Sequence, residues 1–203
     1  MDYSFLFFNK IIPVVVLNSA EDTLPKLRAL KMGGINIAEI TFRTSCAPDC
    51  LAIAVKNFPD MLVGVGTIIN EMQCKKAIEL GAKFVVSPGF SKEVAQCCKE
   101  ADIPYIPGVI TPTEVMQAKE TGLYIFKFFP ASDFGGIKTM KSLSAAFPDV
   151  RFVPTGGVGE SNMKEYLSCP FILAVGGSWM MKGNENDIEN MSKHAVEIAK
   201  EYI

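Results

Sequence analysis

The sequence predicts an α/β fold of the (β/α)8 barrel class (a TIM barrel), formed by a single domain over residues 1–203. Strand-like and helix-like segments alternate from end to end, and no linker separates them. A helix, a glycine and a strand also follow one another around Gly33, Gly81 and Gly122, which indicates a repeating βα unit. Roughly eight such units favour a closed barrel over an open doubly wound sheet, the alternative that this pattern leaves open.

Each predicted strand is a β-branched or aromatic run, and the predicted helices begin at capping residues or end at glycines. The predicted strands span residues 11–17, 36–41, 62–66, 83–87, 103–106, 123–130, 150–154 and 171–175. The predicted helices span about residues 21–32, 47–57, 70–80, 91–100, 111–121, 136–146 and 160–167, and a long helix begins near Asp187. Thr111 to Glu114 reads as a capping box with proline at the first helical position. The apolar residues 1–8 are expected to form a helix or an apolar cap over one barrel end.

Composition narrows the possible partners and the compartment. The formal net charge is −2 and the basic residues are scattered, which argues against nucleic acid or an anionic membrane as a partner. No apolar run reaches the ~18 residues of a membrane span, and the chain is expected to be cytoplasmic. The six cysteines form no C-x-x-C pair, and His194 is the single histidine. We therefore expect free thiols in a reducing compartment and no metal site; a zinc site would need a tighter Cys/His set.

Lys127 lies in the middle of the sixth predicted strand, which is strongly aromatic and β-branched. We expect Lys127 to lack a structural partner. An unpaired ammonium in apolar surroundings is difficult to solvate, so its pKa should be lowered toward ~7–8. A partly neutral lysine can attack a carbonyl group and form a Schiff base. The competing interpretation is a strand-end lysine that reaches water or pairs with a carboxylate.

Charged side chains share one face of the second predicted strand. Side chains alternate along a strand, so Glu39, Thr41 and Arg43 project to one side, and Lys127 and Phe129 share a face of the sixth strand in the same way. The carboxyl ends of barrel strands meet at one mouth. A carboxylate, an arginine and a lysine in that mouth predict a functional site, with a structural ion-pair network as the alternative.

Small and polar residues follow four other strands. Thr67 and Pro88 come after strands three and four, where a hydroxyl and a close backbone approach would suit a small planar acid. Glycine pairs at 156–157 and 176–177 come after strands seven and eight, where barrels build phosphate sites from backbone N–H groups. Tight turns are the alternative role for these glycines; their occurrence in pairs at both places favours phosphate.

Six short runs carry a resemblance to a known family. They are residues 39–44 (EITFRT), 64–67 (GVGT), 87–89 (SPG), 126–131 (FKFFPA), 154–157 (PTGG) and 176–179 (GGSW). In this order, over nearly the whole chain, they resemble the 2-keto-3-deoxy-6-phosphogluconate (KDPG) aldolases, also called 4-hydroxy-2-oxoglutarate (KHG) aldolases. The resemblance implies a class I lyase of the Entner-Doudoroff pathway, a homotrimer of (β/α)8 barrels that needs neither a metal nor another cofactor.

The resemblance also implies a role for each matching residue. Lys127 would be the Schiff-base lysine and Glu39 the general acid/base. The substrate-binding residues would be Arg43 and Thr67 on the carboxylate of the pyruvate half, Pro88 and Phe129 lining that pocket, Thr155 beside the sugar hydroxyls, and Gly156, Gly157, Gly177 and Ser178 on the phosphate. The implied partners are therefore pyruvate and a phosphorylated keto-deoxy sugar acid.

The chemistry of these residues agrees with an aldol cleavage. A protonated imine on Lys127 is an electron sink at C2, Glu39 can move the proton, and Arg43 can hold the carboxylate bidentately. The products from KDPG would be pyruvate and D-glyceraldehyde 3-phosphate, and those from KHG pyruvate and glyoxylate. Three alternatives remain: the 6-phosphogalactonate aldolase relative, a phosphate-binding barrel isomerase or synthase, and a barrel that binds phosphosugars without converting them.

Overall fold

The computed structural model describes residues 2–6 and 10–203 of the chain. Its strands are β1 (Ile11–Val15), β2 (Ile37–Thr41), β3 (Leu62–Gly66), β4 (Val85–Val86), β5 (Tyr105–Ile106), β6 (Gly108–Val109), β7 (Ile125–Phe128), β8 (Arg151–Pro154) and β9 (Val175–Gly177). Its helices are α1 (Thr23–Met32), α2 (Ala47–Asn57), α3 (Glu71–Glu79), α4 (Lys92–Glu100), α5 (Pro112–Lys119), α6 (Gly136–Ala146), α7 (Met163–Leu167) and α8 (Glu185–Lys200), and a short 3-10 helix spans Trp179–Met181.

The strands form two parallel sheets. A curled six-stranded sheet has the order β5-β4-β3-β2-β1-β9 and makes a half-barrel, and a separate three-stranded sheet has the order β6-β7-β8. The prediction of a closed (β/α)8 barrel is therefore wrong: the structure is an open half-barrel accompanied by a second sheet. The predicted alternation of strands and helices is present in the structure, but this alternation does not determine which strands pair.

The two sheets separate where the strand ladders are interrupted. The fifth predicted strand, residues 103–106, contains β5, and Pro107 separates β5 from β6, which was not predicted; proline has no N–H group to donate to a ladder. The carbonyl of Pro107 instead accepts a hydrogen bond from the N–H of Lys127 on β7, at 2.8 Å. At the other junction, β8 meets the segment before and within β9 through two isolated bridges, Phe152 with Ile172 and Thr155 with Gly176.

The last strand begins later than the sequence predicts. β9 pairs with β1 through Val175, Gly176 and Gly177, whereas most of the predicted strand at residues 171–175 lies before it. The glycines that were expected to follow the last strand are therefore part of it. This places the next residue, Ser178, at the carboxyl end of the strand.

The amino ends of the strands are covered by the start of the chain. The predicted N-terminal helix or apolar cap falls partly on residues 1, 7 and 8, which lie outside the described residues. Leu6 is fully buried, Phe5 stacks on Phe84 with ring centroids 5.2 Å apart, and the hydroxyl of Tyr3 donates to the carbonyl of Tyr105 at 3.0 Å. Since Phe84 precedes β4 and Tyr105 opens β5, these contacts lie at the amino ends of the two strands.

The helices pack outside the strands around one buried apolar cluster. α5 begins with the predicted capping box, in which Thr111 accepts from the backbone of Glu114 and the Glu114 side chain accepts from the backbone of Thr111. This prediction is confirmed. Among residues 2–6 and 10–203, no helix combines the length and the apolar character that crossing a bilayer requires.

Candidate active site

A buried ion pair joins the two sheets. Lys127 on β7 is 4% exposed and Glu39 on β2 is 2% exposed, and the Lys127 Nζ lies 3.4 Å from the Glu39 Oε1. The expectation that Lys127 has no structural partner is therefore wrong, because strand pairing brings the carboxylate to it from 88 positions away in the chain. The ammonium and the carboxylate are therefore in direct hydrogen-bond contact within a buried region.

The backbone of β3 makes room for Glu39. The registers of β2 and β3 place Thr41 opposite Gly66, and a Cβ atom at position 66 would overlap with the carboxylate of Glu39. The backbone of Gly66 is not in the left-handed region, so space is the reason for a glycine here. Glu39 therefore extends along β3 toward the carboxyl end of the sheet.

An aromatic ring lies on another side of the lysine. The Lys127 Nζ is 5.2 Å from the centroid of the half-buried Phe129 ring. This distance is within the range of a cation–π contact. The ammonium thus lies between one carboxylate and one aromatic face, with little access to solvent.

Arg43 and Thr67 form a second polar contact at the carboxyl ends of β2 and β3. The Arg43 Nε donates to the Thr67 Oγ1 at 3.1 Å. Thr67 has a φ of 59°, in the left-handed region that costs a β-branched residue on the order of 1 kcal/mol or more. Arg43 is exposed, so its guanidinium has donors left for an anion from solvent.

A cavity of about 300 Å³ opens next to these residues. It is lined by seven residues of the predicted site, namely Arg43, Phe129, Thr155, Gly156, Gly157, Gly177 and Ser178, and by five others, namely Val14, Val16, Val158, Trp179 and Lys182. Thr67 and Pro88 do not line it. Pro88 is exposed after β4, and its carbonyl lies against Gly108 of β6.

One wall of the cavity is a glycine turn after β8. Gly156 and Gly157 have φ values of +92° and +71°, which favour glycine, and a Cβ on Gly157 would overlap with the Ser132 side chain. Within the part of the chain that the structure describes, no hydrogen bond takes up the N–H of Gly157. Thr155, which precedes the turn, is buried and forms the isolated bridge to Gly176 that links the sheets at this point.

Sequence reasoning missed several residues of this region. Val14 and Val16 lie on or just after β1 and could have been found from the alternation of that strand; Trp179 and Lys182 follow the last glycine pair by two and five positions. Thr41 was placed on the Glu39 face but received no role. It is fully buried, and its Oγ1 has no hydrogen-bond partner among the described residues.

The described residues contain no group of three or more His, Cys, Asp or Glu side chains arranged to hold a metal ion. The cysteines of the described ranges are free thiols; the sulfur atoms of Cys74 and Cys98 lie 3.5 Å apart, well beyond the length of a disulfide bond. His194 lies on α8 with its Nε2 3.2 Å from Glu160, in a half-exposed surface cluster. None of these groups lies beside Lys127.

Comparison with known proteins decides the family. The family model for KDPG and KHG aldolases matches residues 4–195. The chain belongs to the KDPG and KHG aldolase family.

Members of this aldolase family resemble the chain along almost its whole length. The KHG/KDPG aldolase of Escherichia coli K12 is 37% identical over 203 residues, which cover 97% of this chain and 95% of that protein. The crystal structure of a Zymomonas mobilis KDPG aldolase with 3-phosphoglycerate has a TM-score of 0.90 and 37% identity, over 95% of this chain and 93% of that one. The Legionella pneumophila KDPG aldolase, with pyruvate captured as a covalent carbinolamine intermediate, has a TM-score of 0.87 and 38% identity, over 97% and 95% of the two chains.

Proposed function

We propose that this chain is a class I aldolase that cleaves KDPG to pyruvate and D-glyceraldehyde 3-phosphate through a Schiff base on Lys127. The same site cleaves KHG to pyruvate and glyoxylate. The observation that carries the proposal is the buried Lys127 Nζ, 3.4 Å from the Glu39 carboxylate and beside the cavity at the strand ends. Family membership and the carbinolamine captured in the Legionella relative support it.

Glu39 serves first as the base that frees the amine. It accepts a proton from the Lys127 ammonium, and the neutral amine attacks the C2 carbonyl of the substrate to give a carbinolamine. The carbinolamine takes up a proton from Glu39 and loses water, which leaves a protonated imine. The first transfer, from the ammonium to the carboxylate, can be direct because the two groups are already in contact.

The imine then accepts the electrons of the bond that breaks. Glu39, again a carboxylate, removes the proton from the C4 hydroxyl, the C3–C4 bond breaks, and its electron pair forms an enamine with C2 and the lysine nitrogen. The aldehyde product leaves. Protonation of the enamine at C3 restores the imine, and addition of water releases pyruvate and regenerates Lys127 and Glu39 for another turnover.

Arg43 and Thr67 bind the carboxylate of the pyruvate half. The Arg43 Nε is already held by the Thr67 hydroxyl, which leaves the outer guanidinium nitrogens to pair with a carboxylate. Phe129 lines this end of the cavity, and its ring next to Lys127 excludes water from the imine; Pro88 lies outside the cavity lining, so its expected place in this pocket is not part of the proposal. Fixing the carboxylate places the C2 carbonyl against the lysine, which lowers the entropic part of the barrier.

The opposite end of the cavity binds the phosphate. Gly156, Gly157, Gly177 and Ser178 line it, and the free N–H of Gly157 and the exposed Ser178 hydroxyl can donate to phosphate oxygens. Thr155, which also lines the cavity, contacts the sugar hydroxyls. We further propose that the enzyme works as a homotrimer in the cytoplasm, in the Entner-Doudoroff pathway; the free thiols are consistent with a reducing compartment.

Reductive trapping tests this function. Borohydride added with pyruvate should attach one reduced pyruvyl group per chain, on the peptide that contains Lys127, as read by intact-mass and peptide mass spectrometry. Lys127→Arg is the matched control, because it keeps a cation beside Glu39 but cannot form the imine. Glu39→Gln should slow turnover by about 10²–10⁴, the usual contribution of a general acid/base, and reduce trapping less than turnover.

The outcomes separate the candidate classes. Trapping on a different lysine, or turnover that persists in Lys127→Arg, would rule out the proposed mechanism. An isomerase or a binding protein would show no trapping with pyruvate at all. Loss of activity with EDTA and its recovery with a divalent ion would indicate a metal-dependent aldolase instead.

A further inference from the structure

Lys182 is a cationic residue of the cavity lining that has no role in the proposed function. It follows the short 3-10 helix Trp179–Met181 in an extended conformation and lines the cavity together with Gly177 and Ser178. Arg43 and Lys182 are the charged residues among the described lining, which includes no aspartate or glutamate. This wall therefore carries two positive charges and no negative charge to balance them.

The neighbours of Lys182 leave its ammonium available. No ion pair or hydrogen bond of its side chain occurs within residues 2–6 and 10–203. Lys182 also lines a second surface groove with Glu160 and His194, but the Glu160 carboxylate lies 3.2 Å from the His194 Nε2 and forms no ion pair with Lys182. A cation that forms no ion pair among the described residues, at the edge of a glycine-lined cavity, suits an anion that comes from solvent.

The two cations match the two anionic ends of the proposed substrate. Arg43 is held by Thr67 just beyond the carboxyl ends of β2 and β3, where the proposed function binds the C1 carboxylate. Ser178 and Lys182 follow β9 on the glycine side of the cavity, where backbone donors are neutral and a phosphate monoester carries about two negative charges. Backbone donors alone would leave that charge without a counter-ion.

We propose that Lys182 binds the phosphate monoester of the substrate and is the residue that favours the phosphorylated substrate over the shorter KHG. This rests on the proposed function for the identity of the substrate. Lys182 does not touch the reacting atoms, so it acts on substrate affinity and on placement of the remote end. Its effect should appear in KM more than in kcat.

Steady-state kinetics of Lys182→Gln on the two substrates tests this role. We expect KM for KDPG to rise about tenfold, the loss of one hydrogen bond to a charged group, while kcat changes little and kcat/KM for KHG stays within about twofold. Lys182→Arg should restore most of the KDPG affinity. Lys56→Gln is the matched control, since Lys56 is an exposed lysine in the last turn of α2 and changes the net charge equally.

Salt and inorganic phosphate give independent measurements. The KM of the wild type for KDPG should rise with ionic strength more steeply than that of Lys182→Gln, because one screened charge pair is missing in the variant. Inorganic phosphate, titrated by calorimetry, should bind the wild type more tightly than Lys182→Gln. Equal losses on both substrates, or unchanged KDPG kinetics and phosphate binding in Lys182→Gln, would overturn the proposal.

The same experiments distinguish failure of the aldolase assignment from failure of the Lys182 proposal. If the wild type neither forms a pyruvate adduct nor cleaves KDPG, the aldolase assignment fails, and the phosphate titration alone decides the role of Lys182. If the wild type cleaves both substrates and Lys182→Gln binds KDPG and phosphate as the wild type does, the aldolase assignment stands and the Lys182 proposal is wrong.

Discussion

Gly66 lies two residues beyond Gly64, the register partner of Glu39, yet a Cβ atom on Gly66 would overlap with the Glu39 carboxylate. The glycine thus determines where the carboxylate lies. Because Glu39 is the partner of Lys127, a residue without a functional group controls the geometry of the buried pair.

Gly66→Ala should displace Glu39 from Lys127. We expect kcat to fall by about 10² or more on both KDPG and KHG, since both need the same base, with a loss of about 1–3 kcal/mol in the free energy of unfolding from overpacking. Kinetics and urea denaturation measure the two effects. Gly159→Ala is the control, because a Cβ there meets nothing within 4 Å. Full turnover in Gly66→Ala would show that the carboxylate can work from another position.

Lys127→Ala should destabilise the protein as well as inactivate it. The sequence suggested a lysine that stability does not require, but the structure leaves Glu39 buried without its partner when Lys127 is removed. We expect a loss of about 3–5 kcal/mol in the free energy of unfolding. The double variant Lys127→Met with Glu39→Gln should recover much of this loss, as measured by urea denaturation. Strictly additive effects would contradict an energetic coupling between the two side chains.

Thr41→Val tests whether the buried hydroxyl of Thr41 takes part in the reaction. Thr41→Val has nearly the same shape and removes a buried Oγ1 that lacks a partner among the described residues, so the free energy of unfolding should stay within about 1 kcal/mol of the wild type or rise. We expect kcat/KM to fall about tenfold, because a bound water or substrate is the available partner for this hydroxyl. Thr41→Ser should retain activity. Unchanged activity in Thr41→Val would assign the hydroxyl no part in turnover.

The free energy of unfolding at alkaline pH should depend on the Tyr3 phenol. Burial raises the pKa of the Tyr3 phenol from 10.0 to about 12. Below pH 10 the phenol is protonated in both states; between pH 10 and pH 12 the unfolded chain releases the proton and the folded chain retains it. The free energy of unfolding should therefore fall by up to about 2 kcal/mol as pH rises through this window.

The measurement is urea denaturation at a series of pH values, with Tyr3→Phe as the comparison. Tyr3→Phe loses the hydrogen bonds with the Tyr105 backbone and should be less stable at pH 8, but its stability should decline less steeply above pH 10. Burial also raises the pKa of the Tyr105 phenol, so part of the decline should remain in the variant. Identical slopes for the two proteins would show that Tyr3 does not contribute.

The sequence by itself determined the local structure and indicated many of the residues that line the cavity. Hydrophobic periodicity and capping chemistry act over a few neighbouring residues, which is why β2, β3 and the capping box of α5 could be located from composition and spacing alone. The same alternation grouped Glu39 with Thr41 and Arg43, and the structure places Glu39 against Lys127 and Arg43 on the cavity. Motifs at the strand ends indicated the family, which the family model then showed.

Tertiary structure alone decided how the sheets are divided and which side chains meet. The break at Pro107 and the isolated bridges between β8 and β9 depend on backbone hydrogen bonds between distant segments, whereas periodicity specifies a face of a strand and not its neighbour. For the same reason the sequence placed Glu39 and Lys127 at one mouth but did not show that the two side chains are in contact. The cavity position of Lys182 follows from the pairing of β9 with β1, a contact between the two ends of the chain that no local pattern encodes.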